Sequence, residues 1–175
     1  SGVLTMEACS VAASGGTCVG VTGEEARLVV ERCLLAASDF GVVGVSGSRV
    51  CCCQSVFSDI ANASVVVVGN KTLCELEGSV LARGGAYGVS ATEGGKVVLE
   101  GNTIQSCREA GVSLSGRSWS QLNGNVLQGD GGHGLLVAGE SGAESPTKIS
   151  VTCSGRVRCC LGRDGAPPYH ARGAV

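Results

Sequence analysis

Apolar residues recur in this chain at a nearly fixed period. Counting outward from Ile104, the positions Val11, Leu35, Phe57, Leu81, Ile104, Leu127 and Val151 are separated by 24, 22, 24, 23, 23 and 24 residues. Eight residues after each come Val19, Val43, Val65, Val89, Val112, Leu135 and Cys159, and two further on Val21, Val45, Val67, Ala91, Leu114, Val137 and Leu161. Five residues before the reference stand Met6, Val30, Cys52, Leu76, Leu99 and Leu122, preceded at two residues by Leu4, Leu28, Val50, Cys74, Val97 and Ser120. Glycine closes most units, as Gly23, Gly47, Gly69, Gly116 and Gly139. Two successive copies, "GNTIQSCREAGVSLSG" at 101–116 and "GNVLQGDGGHGLLVAG" at 124–139, differ mainly in their middle four residues.

Apolar side chains at alternate positions mark strands that turn one face inward. A unit of about 23 residues cannot bury that face alone, so it must stack on copies of itself. The composition agrees: 29 glycines, 43% hydrophobic and only 3% aromatic residues suit short strands, frequent turns and a core of small aliphatic side chains. The expectation is an all-β chain, a right-handed parallel β-helix of about seven rungs of 22–24 residues, because parallel crossovers are overwhelmingly right-handed. It should occupy residues 1–161, with 162–175, of linker composition, as a tail or cap. Through "VVLEGNTIQSCREAGVSLSG" and its copies the chain resembles the β-helix repeats of the pectate-lyase-like superfamily. That superfamily holds polysaccharide lyases and hydrolases, phage tailspikes, and non-enzymatic modules such as those of F-box substrate receptors and SHC-adaptor-binding proteins, so the resemblance implies a fold before it implies a function.

Reading columns in place of rows separates what stacking fixes from what it leaves open. The four residues starting three after each reference position are "SGGT", "SDFG", "IANA", "GGAY", "CREA" and "DGGH". They are expected to form a turn, and a turn that projects into water can vary and carry identity. Phe40, Tyr87, Arg108, Glu109, Asp130 and His133 are its candidate binding residues. A second column places Glu7, Glu31, Cys53, Glu77, Glu100 and Asn123 on one outward line, with the carboxylates about 5 Å apart on neighbouring rungs, a mildly repulsive arrangement. A basic partner, a cation or simply water and salt could offset it. Four residues earlier lie Arg27, Arg49 and Lys96, so the face carries stripes of opposite sign, which suit a charged protein surface. The outward face of the valine-rich strand is uncharged: Gly20, Gly44, Val66, Ser90, Ser113 and Leu136, then Thr22, Ser46, Val68, Thr92, Ser115 and Ala138. Such a face invites a partner or a second copy of the chain.

An enzymatic reading rests on "GGHG" at 131–134, similar to the Gly-His-Gly segment of polygalacturonase-type hydrolases. The resemblance would require an aspartate pair one rung earlier, where Arg108 and Glu109 stand, and inverting hydrolysis needs two carboxyl groups about 6.5–9.5 Å apart. Cys51, Cys52 and Cys53 alternate faces, so the three cannot converge on one tetrahedral zinc; no metal or other cofactor is expected. Cys9 and Cys33 share a column with Ser55, Ser79, Asn102 and Asn125, a polar ladder in which those two cysteines could bridge. Eleven cysteines, an odd number with many in core columns, favour a reducing cytoplasmic compartment, while "NAS" (62–64) and "NKT" (70–72) leave secretion open. A net charge of −2 without charge runs gives no electrostatic reason to expect nucleic acid or a membrane surface, and the longest apolar runs are too short to span a bilayer. The expectation is a non-catalytic module of a larger protein that recognises a protein partner; the rival is a carbohydrate-active or sugar-binding β-helix.

Overall fold

A computed structural model describes residues 2–13, 15–128 and 132–139, together with the backbone of the strands at 151–153 and 156–161. Each of the first six rungs contributes three strands and the seventh two among the described residues, and every strand pairs in parallel with its counterparts on the adjoining rungs. The first sheet has six strands: Val3–Glu7, Arg27–Glu31, Arg49–Cys53, Leu73–Glu77, Lys96–Glu100 and Trp119–Asn123. The second has seven short ones: Ser10–Ala12, Leu34–Ala36, Val56–Ser58, Val80–Ala82, Thr103–Gln105, Asn125–Gln128 and Val151–Cys153. The third, also of seven, holds Thr17–Thr22, Phe40–Val45, Ala63–Val68, Tyr87–Thr92, Ala110–Leu114, His133–Gly139 and Arg156–Leu161. Among the described residues there is no helix.

One continuous core runs up the axis, and the inward columns build it. Val30, Cys52, Leu76 and Leu99 line the first sheet; Leu35, Phe57, Leu81, Ile104 and Leu127 line the second; Val65, Val89 and Val112 line the third, all within 1% of complete burial. The registers Leu81↔Ile104↔Leu127 and Val89↔Val112↔Leu135 match the sequence columns.

Two columns slip. On the second rung Val42, not Val43, pairs with Val19 and Val65, and Gly44, not Val45, pairs with Val21 and Val67. Val42 is buried, whereas Val43 and Val45 face outward, Gly44 turns inward, and Ser46, still exposed, falls just past the strand's end. The cause is local. The turn of that rung is one residue shorter, so counting from Leu35 overshoots by one, and a slip of one exchanges the faces. The last rung slips by two: Cys153 rather than Val151 stands beside Leu127, Val157 beside Leu135, and Cys159 beside Val137. The tail at 162–175 lies outside the described residues.

The corner between the first and second sheets is the polar ladder. Each backbone N–H in the column donates to the side chain one rung on: Cys9 to Cys33 Sγ (3.4 Å), Cys33 to Ser55 Oγ (3.1 Å), Ser55 to Ser79 Oγ (3.1 Å), Ser79 to Asn102 Oδ1 (2.9 Å) and Asn102 to Asn125 Oδ1 (2.9 Å). Cys9 and Cys33 are thiols within this ladder and form no bridge.

Candidate functional site

The variable turn between the second and third sheets is held by its own backbone. Ala61 N–H donates to Ser38 O, Asn62 to Asp39 O, Arg108 to Gly85 O and Glu109 to Ala86 O, each one rung apart. On these rungs the backbone satisfies itself, while on the first Gly16 N–H donates to Asp39 Oδ2 (2.9 Å); Ala61, Asn62, Arg108 and Glu109 are exposed. The expectation that all six candidate residues project from this turn needs correction. Phe40, Tyr87 and His133 are the first residues of third-sheet strands, in the single column Thr17, Phe40, Ala63, Tyr87, Ala110, His133. The turn is shorter than the four-residue window, so its last residue joins the ladder. Ala63 and Ala110 are buried, while Phe40, Tyr87 and His133 are half-buried. Rings thus alternate with alanines, and successive rings are two rungs, about 10 Å, apart.

The position that follows must be small. A Cβ at Gly41 would lie 2.8 Å from the Phe57 ring, and one at Gly88 would lie 2.6 Å from Gly111 O and overlap a methyl group of Ile104. Ser64, at the same place, is buried with its hydroxyl unpartnered.

Tyr87 and the two charged turn residues are tied together. The Tyr87 hydroxyl donates to Glu109 at 2.5 Å, and this bond to a carboxylate, aided by partial burial, raises the phenol above its ordinary pKa. Arg108 reaches two rungs back to donate to Ala61 O at 3.1 Å. Among the described residues His133 Nδ1 is buried with no hydrogen-bond partner. Asp130, the remaining candidate, lies outside the described residues.

On the first sheet the register places Glu7, Glu31, Cys53, Glu77, Glu100 and Asn123 in one column, as expected, and Arg27, Arg49, Leu73, Lys96 and Trp119 in another. The sequence reading missed what sits beside the first two carboxylates. Arg32, at the corner just after the strand, forms an ion pair with Glu7 and another with Glu31 at 3.5 Å. It occupies a left-handed position (φ 52°), where Gly78 and Gly101 stand on later rungs. Arg83 was missed likewise: at a left-handed corner of the second sheet it donates from Nε and Nη2 to Asp59 at 2.7 and 2.9 Å, and from Nη2 to Ser58 at 2.6 Å. The Arg83 guanidinium, with help from the Ser58 hydroxyl, holds the Asp59 carboxyl well below the usual carboxylate range. Corner columns fall between the inward and outward sets, so alternation does not single them out.

Cys51 and Cys53 both face outward on the first sheet, their sulfurs 3.7 Å apart. Burial, then the hydrogen bond with Cys53, pushes the Cys51 thiol up to about 12. The third sheet's outward columns read Gly20, Val43, Val66, Ser90, Ser113, Leu136 and Thr22, Val45, Val68, Thr92, which makes them more apolar than the sequence reading placed them, since Val43 and Val45 replace Gly44 and Ser46.

No curated protein and no solved structure matches the chain. The sequence profile of the right-handed β-helix region matches residues 1–152. With three parallel sheets stacked rung on rung over the same span, the chain belongs to the right-handed β-helix family.

Proposed function

We propose that this β-helix is a non-catalytic module of a larger protein and that it recognises a protein partner, as a scaffold or substrate-recognition element. The observation that carries the reading is the third sheet's outer face, where Val43, Val45, Val66 and Val68 stand side by side on adjacent rungs, each partly exposed. Two of the strands that build or adjoin this block begin with the half-buried rings of Phe40 and Tyr87, and Arg108 and Glu109 stand at its edge. An apolar centre with an aromatic and charged border is the anatomy of a recognition surface. The stripes on the first sheet (Glu7, Glu31, Glu77 and Glu100 against Arg27, Arg49 and Lys96) offer a second, electrostatic surface for the same purpose. A second copy of the chain could use the valine block equally.

The rival, a carbohydrate-active or sugar-binding β-helix, draws on the rings of Phe40 and Tyr87 recurring on alternate rungs, a spacing at which sugar rings could stack. One set of variants separates the two. A partner captured from the cells that make the protein is purified, and its Kd is measured calorimetrically against wild type, Val66→Glu and the Tyr87→Ala/Arg108→Ala pair. Each variant should weaken binding by about 1–2 kcal/mol or more, while the melting temperature stays close to wild type. Unchanged affinity in both, or cleavage of an acidic polysaccharide that disappears in His133→Ala, overturns the reading.

A further inference from the structure

Residues i and i+2 of a strand share a face, so of the three consecutive cysteines only Cys52 is turned into the core, while Cys51 and Cys53 lie together outside. Their sulfurs are 3.7 Å apart. Two thiolates at about 2.3 Å from one zinc ion, separated by the tetrahedral angle, stand about 3.8 Å apart. The pair is therefore already spaced as one edge of a zinc tetrahedron, with no backbone movement needed. A disulfide is much less well matched: the sulfurs would have to close to about 2.05 Å between strand positions whose Cα atoms lie at the outer limit for bridging.

The next rung supplies oxygen donors in register. Glu75 pairs with Cys51 and Glu77 with Cys53, so thiols and carboxylates occupy the corners of a two-by-two block on the outer face. Both glutamates are exposed, and neither makes an ion pair or hydrogen bond with another described side chain. Their side chains have not closed on the thiols: among the described residues no three potential ligands converge. The thiol pair is the preformed half, and a carboxylate one rung away needs only a rotamer change to reach it. The block also lies in the acidic column, where Glu77 and Glu100 are neighbours without the arginine that serves Glu7 and Glu31.

We propose that Cys51 and Cys53 anchor a surface zinc site completed by Glu75 or Glu77 and water. On binding, each thiol gives its proton to solvent and the resulting thiolates take up the cation; nothing is oxidised or reduced. The site is distinct from the recognition surface on the third sheet and does not depend on it.

The test uses the full chain, kept reduced by a phosphine, with cobalt(II) as the spectroscopic probe and zinc as competitor. Wild type should bind one equivalent with a sulfur-to-cobalt charge-transfer band that zinc abolishes. Cys51→Ser and Cys53→Ser should each lose the band and bind about 100-fold more weakly or worse, Glu75→Gln/Glu77→Gln should bind about tenfold more weakly, and Cys9→Ser should match wild type. A second measurement needs no variant: zinc should protect Cys51 and Cys53 from alkylation, read by peptide mass spectrometry, and leave Cys9 labelled. A band that survives in either serine variant, or labelling of Cys51 and Cys53 that zinc does not slow, overturns the proposal; full affinity in the double glutamine variant removes the carboxylates from it.

Discussion

Two turns on the same rung obey opposite rules. At the corner between the first and second sheets the chain leaves a backbone N–H pointing along the axis, and a buried side chain on the next rung must accept it. At the turn between the second and third sheets the backbone bonds mainly to the backbone of the neighbouring rung, with Gly16 N–H to Asp39 Oδ2 as an exception, and the exposed side chains are released. The ladder admits cysteine, serine or asparagine because each offers an acceptor of short reach, and Cys33, Ser55, Ser79, Asn102 and Asn125 are all almost fully buried. The turn buries its first residue, whether Ser38, Ile60, Gly84 or Cys107, and requires glycine at Gly85, where a Cβ would fall on Ala61 O, but its exposed places take residues as different as Asn62, Arg108 and Glu109. Variation along the chain thus reports where hydrogen bonding has been handed to side chains and where it has not.

The strongest way to break the stack leaves both turns untouched. Val112 is fully buried between Val89 and Leu135. Val112→Asp would bury an unpaired charge in the column and should cost more than about 4 kcal/mol, abolishing the cooperative thermal transition or leaving insoluble protein. A near-unchanged melting temperature would mean that the facing of the third sheet is wrong.

Next in size is a test of the ladder itself. Asn102 accepts from Ser79 N–H and donates to Leu76 O at 2.7 Å and to Asn125 Oδ1 at 2.9 Å. Asn102→Leu keeps the volume and strands a buried donor and acceptor, so denaturant unfolding should show a loss of about 2–4 kcal/mol. Asn102→Ser should recover part of it, since Ser79 and Ser55 do the same work one and two rungs earlier. In the opposite turn, Arg108→Ala removes only an exposed bond to Ala61 O and should change stability by no more than about 0.5 kcal/mol. Equal losses at the two turns would erase the distinction between them.

The distinction also explains what the sequence made legible. Inward columns announce themselves because burial demands apolar side chains at period two, and the ladder was visible because Ser55, Ser79, Asn102 and Asn125 recur at a fixed offset. The second rung misled because Val42, Val43 and Val45 are equally valine, so that a turn shortened by one residue exchanges faces without changing the apparent pattern. Phe40, Tyr87 and His133 could be named as candidates but not seated, because a short turn and the first residue of a strand look alike in sequence. Arg32 and Arg83 escaped notice altogether, since their partners are fixed by left-handed corners that leave no periodic apolar trace.

The weakest expected effect lies at one of those corners. Asp59 and Arg83 are exposed and clamp adjacent rungs through two nitrogen–oxygen contacts at 2.7 and 2.9 Å, at the entrance to the turn where side chains are otherwise released. Because Arg83 holds the Asp59 carboxyl below its ordinary value of 3.8, the folded state binds this proton less readily than the unfolded chain does. The contribution of Asp59 is therefore fully present above about pH 4 and fades as the pH falls further toward the folded value. Asp59→Asn should melt slightly below wild type at neutral pH, the gap should close on acidification below about pH 4, and added salt should shrink it at neutral pH because both groups face water. A gap that widens on acidification would assign the clamp the wrong sign, and one indifferent to both acid and salt would show that Asp59 acts by packing at its left-handed position and not by its charge.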